Sequence, residues 1–257
     1  MRGDKSLDEK LAPQDFVADF VWAARAVLKQ PQVALVTIAL WCSPFLLLVG
    51  SPRTAKIAAV LASIFVLFLM CGWNGAERLF FLRQHEGKAV TLGDLLRAAP
   101  RFAGRFARLG FLFAMATAPF VFLPGYLLGR HAVVAGHASS TSPPQWPVAL
   151  VVVVMDLLLT FVTSALVFTT RSARRALRIG VQMIRQTWPR SGLYVICPPL
   201  ALNMLNSMYP TQIQLVRIAT TAGLAVLALL AKGATAAFYL RECPVVPEAV
   251  GDAPLAQ

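Results

Sequence analysis

Apolar residues gather in six runs, and polar, mostly basic segments separate them. A helix crossing the hydrocarbon of a bilayer needs about 20 consecutive, mostly apolar residues. Runs of that kind fall at about 32–50, 57–75, 109–129, 147–170, 191–208 and 215–240. Backbone groups find no water partner in lipid, so each run is predicted to be helical. The fifth contains Pro198, Pro199, Asn203 and Asn206, which predicts a kinked or interrupted helix facing its neighbours. The expected fold is an all-α membrane protein built as a six-transmembrane helical bundle. The membrane domain would occupy 15–242, between a polar N-terminal tail (1–14) and a flexible C-terminal tail (243–257).

The segment before each odd-numbered run alternates with helical period. Phe16, Phe20, Ala24, Val27 and Leu28 share one stripe in the first. Leu92, Leu95, Leu96, Ala99, Phe102 and Phe106 do so in the second, with Arg97, Arg101 and Arg105 along another face. In the third, Ala173, Leu177, Val181, Ile184 and Trp188 form the stripe, with Arg174, Arg175 and Arg178 mostly opposite. Such helices settle at the headgroup boundary with guanidinium groups on phosphate. Those six arginines are the expected lipid-headgroup contacts.

Short motifs recur with the same spacing. Each odd run carries a proline near its outer half, in SPF (Ser43–Phe45), APF (Ala118–Phe120) and PPL (Pro198–Leu200). FFLRQ (Phe80–Gln84) closes the second run and FYLRE (Phe238–Glu242) the sixth, each five residues after a glycine, Gly75 or Gly233. The fourth ends more loosely as FTTR (Phe168–Arg171). The expectation is three repeats of amphipathic helix plus helical hairpin, about 80 residues per copy.

Composition agrees with this picture. Of 257 residues, 57% are apolar and 14% charged, against about a quarter charged in soluble domains. The net charge of +12 raises nucleic acid as a partner, but no aromatic-basic strip or zinc-ligand spacing accompanies it, and nucleic acid is not expected. The basic residues instead lie between the apolar runs. Nineteen fall on one side of the expected bundle and four on the other, which orients both termini toward the cytoplasm. Multi-pass insertion in the cell inner (plasma) membrane follows, with anionic lipids as partners at the cytoplasmic face. The opening MRGDKSLDEKLAPQD is polar and acidic and does not read as a removable signal peptide. Cys42, Cys71, Cys197 and Cys243 form no Cys-x-x-Cys pair and read as small hydrophobes.

The order GWNGAERLFFLRQHEGKAVTLGDLLRAAPRF, then LPGYLLGR (Leu123–Arg130), then RSARRALRIGVQMIRQTW (Arg171–Trp188) resembles the YciC-like bacterial inner-membrane family. It is also similar to the membrane domain that accompanies some glycerophosphodiester phosphodiesterases. The likeness runs from Gly72 to Trp188, and the link HASSTSPPQW (His137–Trp146) departs from it. It implies a polytopic fold and membrane placement. The family has no well-defined activity, and the phosphodiesterase barrel, with its clustered metal ligands, has no counterpart in this chain.

Candidate chemistry is sparse. Asp156 is the one acidic residue well inside an apolar run, and ionisable groups at such depth are costly and often functional. Counted at about 1.5 Å per residue, it lies near mid-membrane, while Lys232 lies nearer the inner face, within snorkelling reach of headgroups. Asp156, Asn203, Asn206 and Lys232 form the candidate polar intramembrane site. Gly125 and Gly129 make a Gly-x-x-x-Gly packing motif. His131 and His137 have no third ligand nearby in sequence. Nucleophile elbow, phosphate loop and zinc-protease motif are all missing from the sequence. Neither a metal nor a cofactor is expected, and no catalytic residue is assigned. The expected function is that of a non-catalytic membrane protein organising a membrane region or an unknown protein partner. The alternatives are a small transporter or channel around Asp156 and the fifth run, and a lipid-handling protein.

Overall fold

The computed structural model describes residues 13–49, 56–134, 159–208 and 214–243. They form helices α1 (Pro13–Lys29), α2 (Pro31–Val49), α3 (Lys56–His85), α4 (Leu92–Val134), α5 (Leu159–Phe168), α6 (Ala173–Thr187), α7 (Arg190–Met208) and α8 (Gln214–Glu242). No strand occurs among the described residues. Two stretches, Val60–His85 in α3 and Val216–Glu242 in α8, are long and apolar enough to cross a membrane.

Three helices differ in extent from the apolar runs that mark them. Helix α3 continues past 75 to His85, carrying Glu77 and Arg78 within the helix. Helix α4 joins the arginine-bearing amphipathic stretch and the third apolar run into one helix of 43 residues. Helix α7 stays helical through Pro198 and Pro199, so the interruption expected there does not occur in its backbone.

The start of α4 is set by a reciprocal cap. The Thr91 backbone N–H and hydroxyl both donate to Asp94 Oδ2, at 3.0 and 2.7 Å, and the Asp94 N–H donates to Thr91 Oγ1 at 3.2 Å. This satisfies amide groups that a helix start leaves without intrahelical partners. The Thr91 hydroxyl, then its backbone N–H, hold the Asp94 carboxyl below the ordinary carboxylate range.

Helix α8 lies at the centre of the described bundle and packs against α1, α2, α3 and α7. The core holds Phe80, Phe81, Phe161, Leu229, Phe238 and Tyr239, all essentially inaccessible to solvent. Close approach depends on residues without side chains. A Cβ at Gly75 would stand 2.3 Å from Phe102 Cβ, so α4 presses onto the α3 backbone. One at Gly233 would meet Ala23 of α1 and Phe81 of α3 at 2.6 Å, and one at Gly180 of α6 would lie 2.9 Å from the Val162 backbone nitrogen in α5.

The amphipathic helices carry three faces, where the sequence pattern distinguishes two. In α6 the buried face is Ala176, Ile179, Gly180 and Met183. The predicted stripe is therefore rotated away from the protein: Leu177, Val181 and Trp188 are exposed, with only Ala173 and Ile184 packed at the core's edge. Arg174, Arg175 and Arg178 occupy a third, exposed sector. In α4 the buried face is Leu95, Ala98, Phe102, Phe106 and Leu109, followed around the helix by exposed Leu96 and Pro100 and then by Arg97, Arg101 and Arg108. Helix α1 buries Asp19, Ala23, Ala26 and Val27, exposes Val17, Val21 and Leu28, and then presents Arg25 and Lys29. At 100° per residue, the order buried, exposed apolar, basic runs in the same rotational sense in all three.

Two outcomes test this packing. Gly75→Ala is expected to destabilise by about 1–3 kcal/mol in thermal unfolding, since Phe102 Cβ is fixed to its own backbone. Gly104→Ala, which meets nothing within 4 Å on exposed helix, should be neutral or stabilising by up to about 1 kcal/mol. Because the folded Asp94 pKa is depressed, its contribution is complete above the ordinary value of about 3.9 and is lost as pH falls through the lower, folded value. Amide exchange at Leu95 and Leu96 should therefore rise on acidification below about pH 4 in the wild type. In Asp94→Asn that pH dependence should disappear.

Candidate functional site

Among the described residues, buried polar side chains gather in two clusters and two further pairs. The first joins α2, α3 and α8. Glu77 is 1% exposed; its Oε1 accepts the Thr37 hydroxyl at 2.7 Å and its Oε2 accepts Lys232 Nζ at 2.6 Å. Lys232 also donates to Asn74 Oδ1, and Trp73 Nε1 donates to Thr37 Oγ1 at 2.9 Å. The Thr37 hydroxyl has one hydrogen, and the Val33 carbonyl at 3.0 Å competes with Glu77 for it. Both carboxylate oxygens thus have partners, as a buried charge requires.

The second cluster joins α1, α7 and α8. Arg241 Nη1 and Nη2 each donate to one oxygen of Asp19 at 3.0 Å, a bidentate pair. The Tyr194 hydroxyl donates to Asp19 Oδ2 at 2.6 Å. Nearby, Thr169 and Tyr239 share a hydroxyl–hydroxyl bond of 2.8 Å that links α8 to the chain just after α5. On the other side of α3, Arg78 Nη1 donates to Ser164 Oγ at 2.6 Å.

Of the four residues in the sequence-predicted polar site, Lys232 alone has a described side chain. Asp156 lies outside the described residues. Asn203 and Asn206 lie on the α7 helix, and their side chains are outside the described part. Lys232 does not snorkel; its ammonium is drawn to Glu77 and Asn74. Arg97, Arg101, Arg174, Arg175 and Arg178 are exposed, as headgroup contacts must be. Arg105 is half-buried over the Phe102 ring, with 5.8 Å from its guanidinium carbon to the ring centroid, and its Nη1 is buried without a partner.

Sequence reading missed Glu77, Asn74, Thr37, Asp19 and Tyr194. Glu77 and Asn74 sit in GWNGAER, where the hydrophobic run fades, and they look like the start of a loop. The available signal was helical spacing: Trp73 and Glu77 are four apart and on one face. Among the described residues, no group of three or more His, Cys, Asp or Glu is placed to hold a metal ion. The clusters offer bundle cohesion and exposed cationic faces, with no nucleophile–base pairing among their bonds. Neither protein-family models, curated proteins nor solved structures give a match to this chain.

Removing one partner of the first cluster leaves a buried charge alone. Lys232→Met or Glu77→Gln should each destabilise by about 3–5 kcal/mol. The double variant should recover most of that loss, and a thermal-unfolding double-mutant cycle in detergent measures the coupling.

Proposed function

We propose that this chain is a six-span, non-catalytic membrane protein of the cell inner membrane, with both termini cytoplasmic. It organises the cytoplasmic leaflet through three interfacial helices that bind anionic lipid. The amphipathic stretches α1, the first part of α4, and α6 are the interfacial elements. Three copies of helix plus hairpin would arrange them around the membrane normal. The likeness to the YciC-like proteins belongs with this reading.

One observation carries it: the three-faced exposure of those helices. A helix beside a soluble core has two environments, protein and water. A helix at the edge of a membrane-embedded bundle has three, namely protein, hydrocarbon and headgroups, and needs apolar surface toward two of them. Exposed Leu177, Val181 and Trp188 beside Arg174 and Arg178 meet that requirement. The shared rotational order supports three units running in one direction. So do the contacts Ala23 on Gly233, Phe102 on Gly75 and Gly180 on Val162, where each amphipathic helix packs on the last part of an even-numbered run. The transporter alternative gains nothing from Lys232, which is engaged in a closed ion pair.

The test is lipid enrichment around the purified protein. In mixed nanodiscs the wild type should concentrate phosphatidylglycerol over phosphatidylcholine, and added salt should weaken the effect. Replacing Arg97, Arg101, Arg174, Arg175 and Arg178 by Gln should remove about 1 kcal/mol of attraction per residue. Equal enrichment in wild type and the fivefold variant would sink the proposal.

A further inference from the structure

Arg78 is the least well compensated charge among the described residues. Its side chain is buried, 6% exposed between α3 and α5. Of its five donor hydrogens one reaches an acceptor among the described residues, Ser164 Oγ. Its Nε is buried and has no partner. Guanidinium stays charged at any physiological pH, and burying a charged group with so few hydrogen-bond partners is costly.

The described acids that could answer it are engaged elsewhere. Glu77, its neighbour in sequence, turns to Lys232 and Thr37. Asp19 serves Arg241 and Tyr194, Asp94 caps α4, Glu86 meets Arg83 and Lys88, and Glu242 meets Arg190 and Arg241. Arg105, on the helix that packs against α3, repeats the pattern. Its Nη1 is also buried and unpartnered, and burial together with the like charge of Arg171 lowers its pKa from the ordinary value. Glu77 attracts Arg78 through space, but its two oxygens are bonded to Thr37 and Lys232 and none of its bonds reaches the guanidinium.

We infer that the Arg78 guanidinium, positioned by Ser164, is a binding site for one phosphate group, supplied by an anionic lipid headgroup. The planar fork of arginine matches phosphate oxygens, and charge-assisted pairs of this kind are the strong ones. Ser164 acts as a positioning residue, since its own hydrogen goes to the Thr160 carbonyl at 3.2 Å and it accepts from Arg78. Arg78 precedes His85, the end of α3, by about 10 Å of helix at 1.5 Å per residue. It also lies three residues past the apolar run that ends at 75, which on the six-span reading puts it near the inner headgroups. The site deepens the anionic-lipid reading above and rests on it, but it is a single saturable site, distinct from the diffuse attraction of the exposed arginines.

The full chain in nanodiscs gives the test, read by native mass spectrometry and thermal unfolding. Wild type is expected to retain one phosphatidylglycerol per chain and to melt higher with phosphatidylglycerol than with phosphatidylcholine alone. Arg78→Met should bind that lipid about tenfold more weakly or worse and lose the lipid-dependent rise in melting. Should Arg78→Met fail to fold, Arg78→Lys and Ser164→Ala serve instead, each weakening the single lipid while leaving bulk enrichment intact. The fivefold exposed-arginine variant should do the reverse, which separates failure of this site from failure of the surface reading. Inorganic phosphate that reproduces the melting shift in phosphatidylcholine nanodiscs would support the same site with free phosphate as its source. A wild type indifferent to anions, or an Arg78→Met protein that keeps the response, overturns the inference. So does an anion requirement that appears only in Asp156→Asn, since Asp156 would then be the counter-charge.

Discussion

Glu77 brings a full charge to a place that solvent scarcely reaches, and the surrounding helices are arranged to meet it. The carboxylate takes a hydroxyl from α2 and an ammonium from α8, while a tryptophan N–H turns the hydroxyl toward it. Each partner comes from a different helix, so none can slide or rotate without leaving a polar atom alone. In the membrane placement proposed above, apolar contact is weakly directional, because lipid tails are as hydrophobic as leucine. The ion pair therefore contributes register more than cohesion. A hydrophobic replacement of the same shape could hold the helices as tightly but would specify their alignment less.

Once the register is set, small residues determine how near the helices come. Gly75, Gly180 and Gly233 each lie where a neighbouring side chain or backbone occupies the space of a Cβ. Two of these glycines belong to the motif that precedes FFLR and FYLR, so the recurrence in sequence has a packing reason. At each place an amphipathic helix presses directly on the backbone or core side chains of a neighbouring helix. The surface elements are thus part of the bundle's wall, and their exposed sectors are held in a fixed orientation.

How far the sequence predicts this depends on what lies outside each helix. Helical segments were legible because apolar runs and 3.6-residue periodicity are local signals. The facing of α6 was not. Two apolar stripes lie side by side on it, Ala176–Ile179–Gly180–Met183 and Leu177–Val181–Trp188, and a pattern alone cannot tell which of them meets the protein core. The continuation of α3 was hidden because Glu77 and Arg78 look like the end of a span when their partners are unknown. Those partners, Lys232 and Ser164, lie 155 and 86 residues away. The sequence suggests snorkelling for Lys232 because its partners Glu77 and Asn74 lie far from it along the chain, in a segment that reads as polar.

The Asp19–Arg241 clasp bears on time as well as on space. It joins residues 222 positions apart, one near the start of the chain and the other in its last described helix. During synthesis, at about 5–20 residues per second, Asp19 emerges roughly ten to forty-five seconds before its partner exists. Through that interval the first helix carries a carboxylate on the face it will later bury. Its contacts with α2 and α3 are available earlier. The order of translation therefore leaves the clasp as the part of the α1 packing that can form only after α8 has been made.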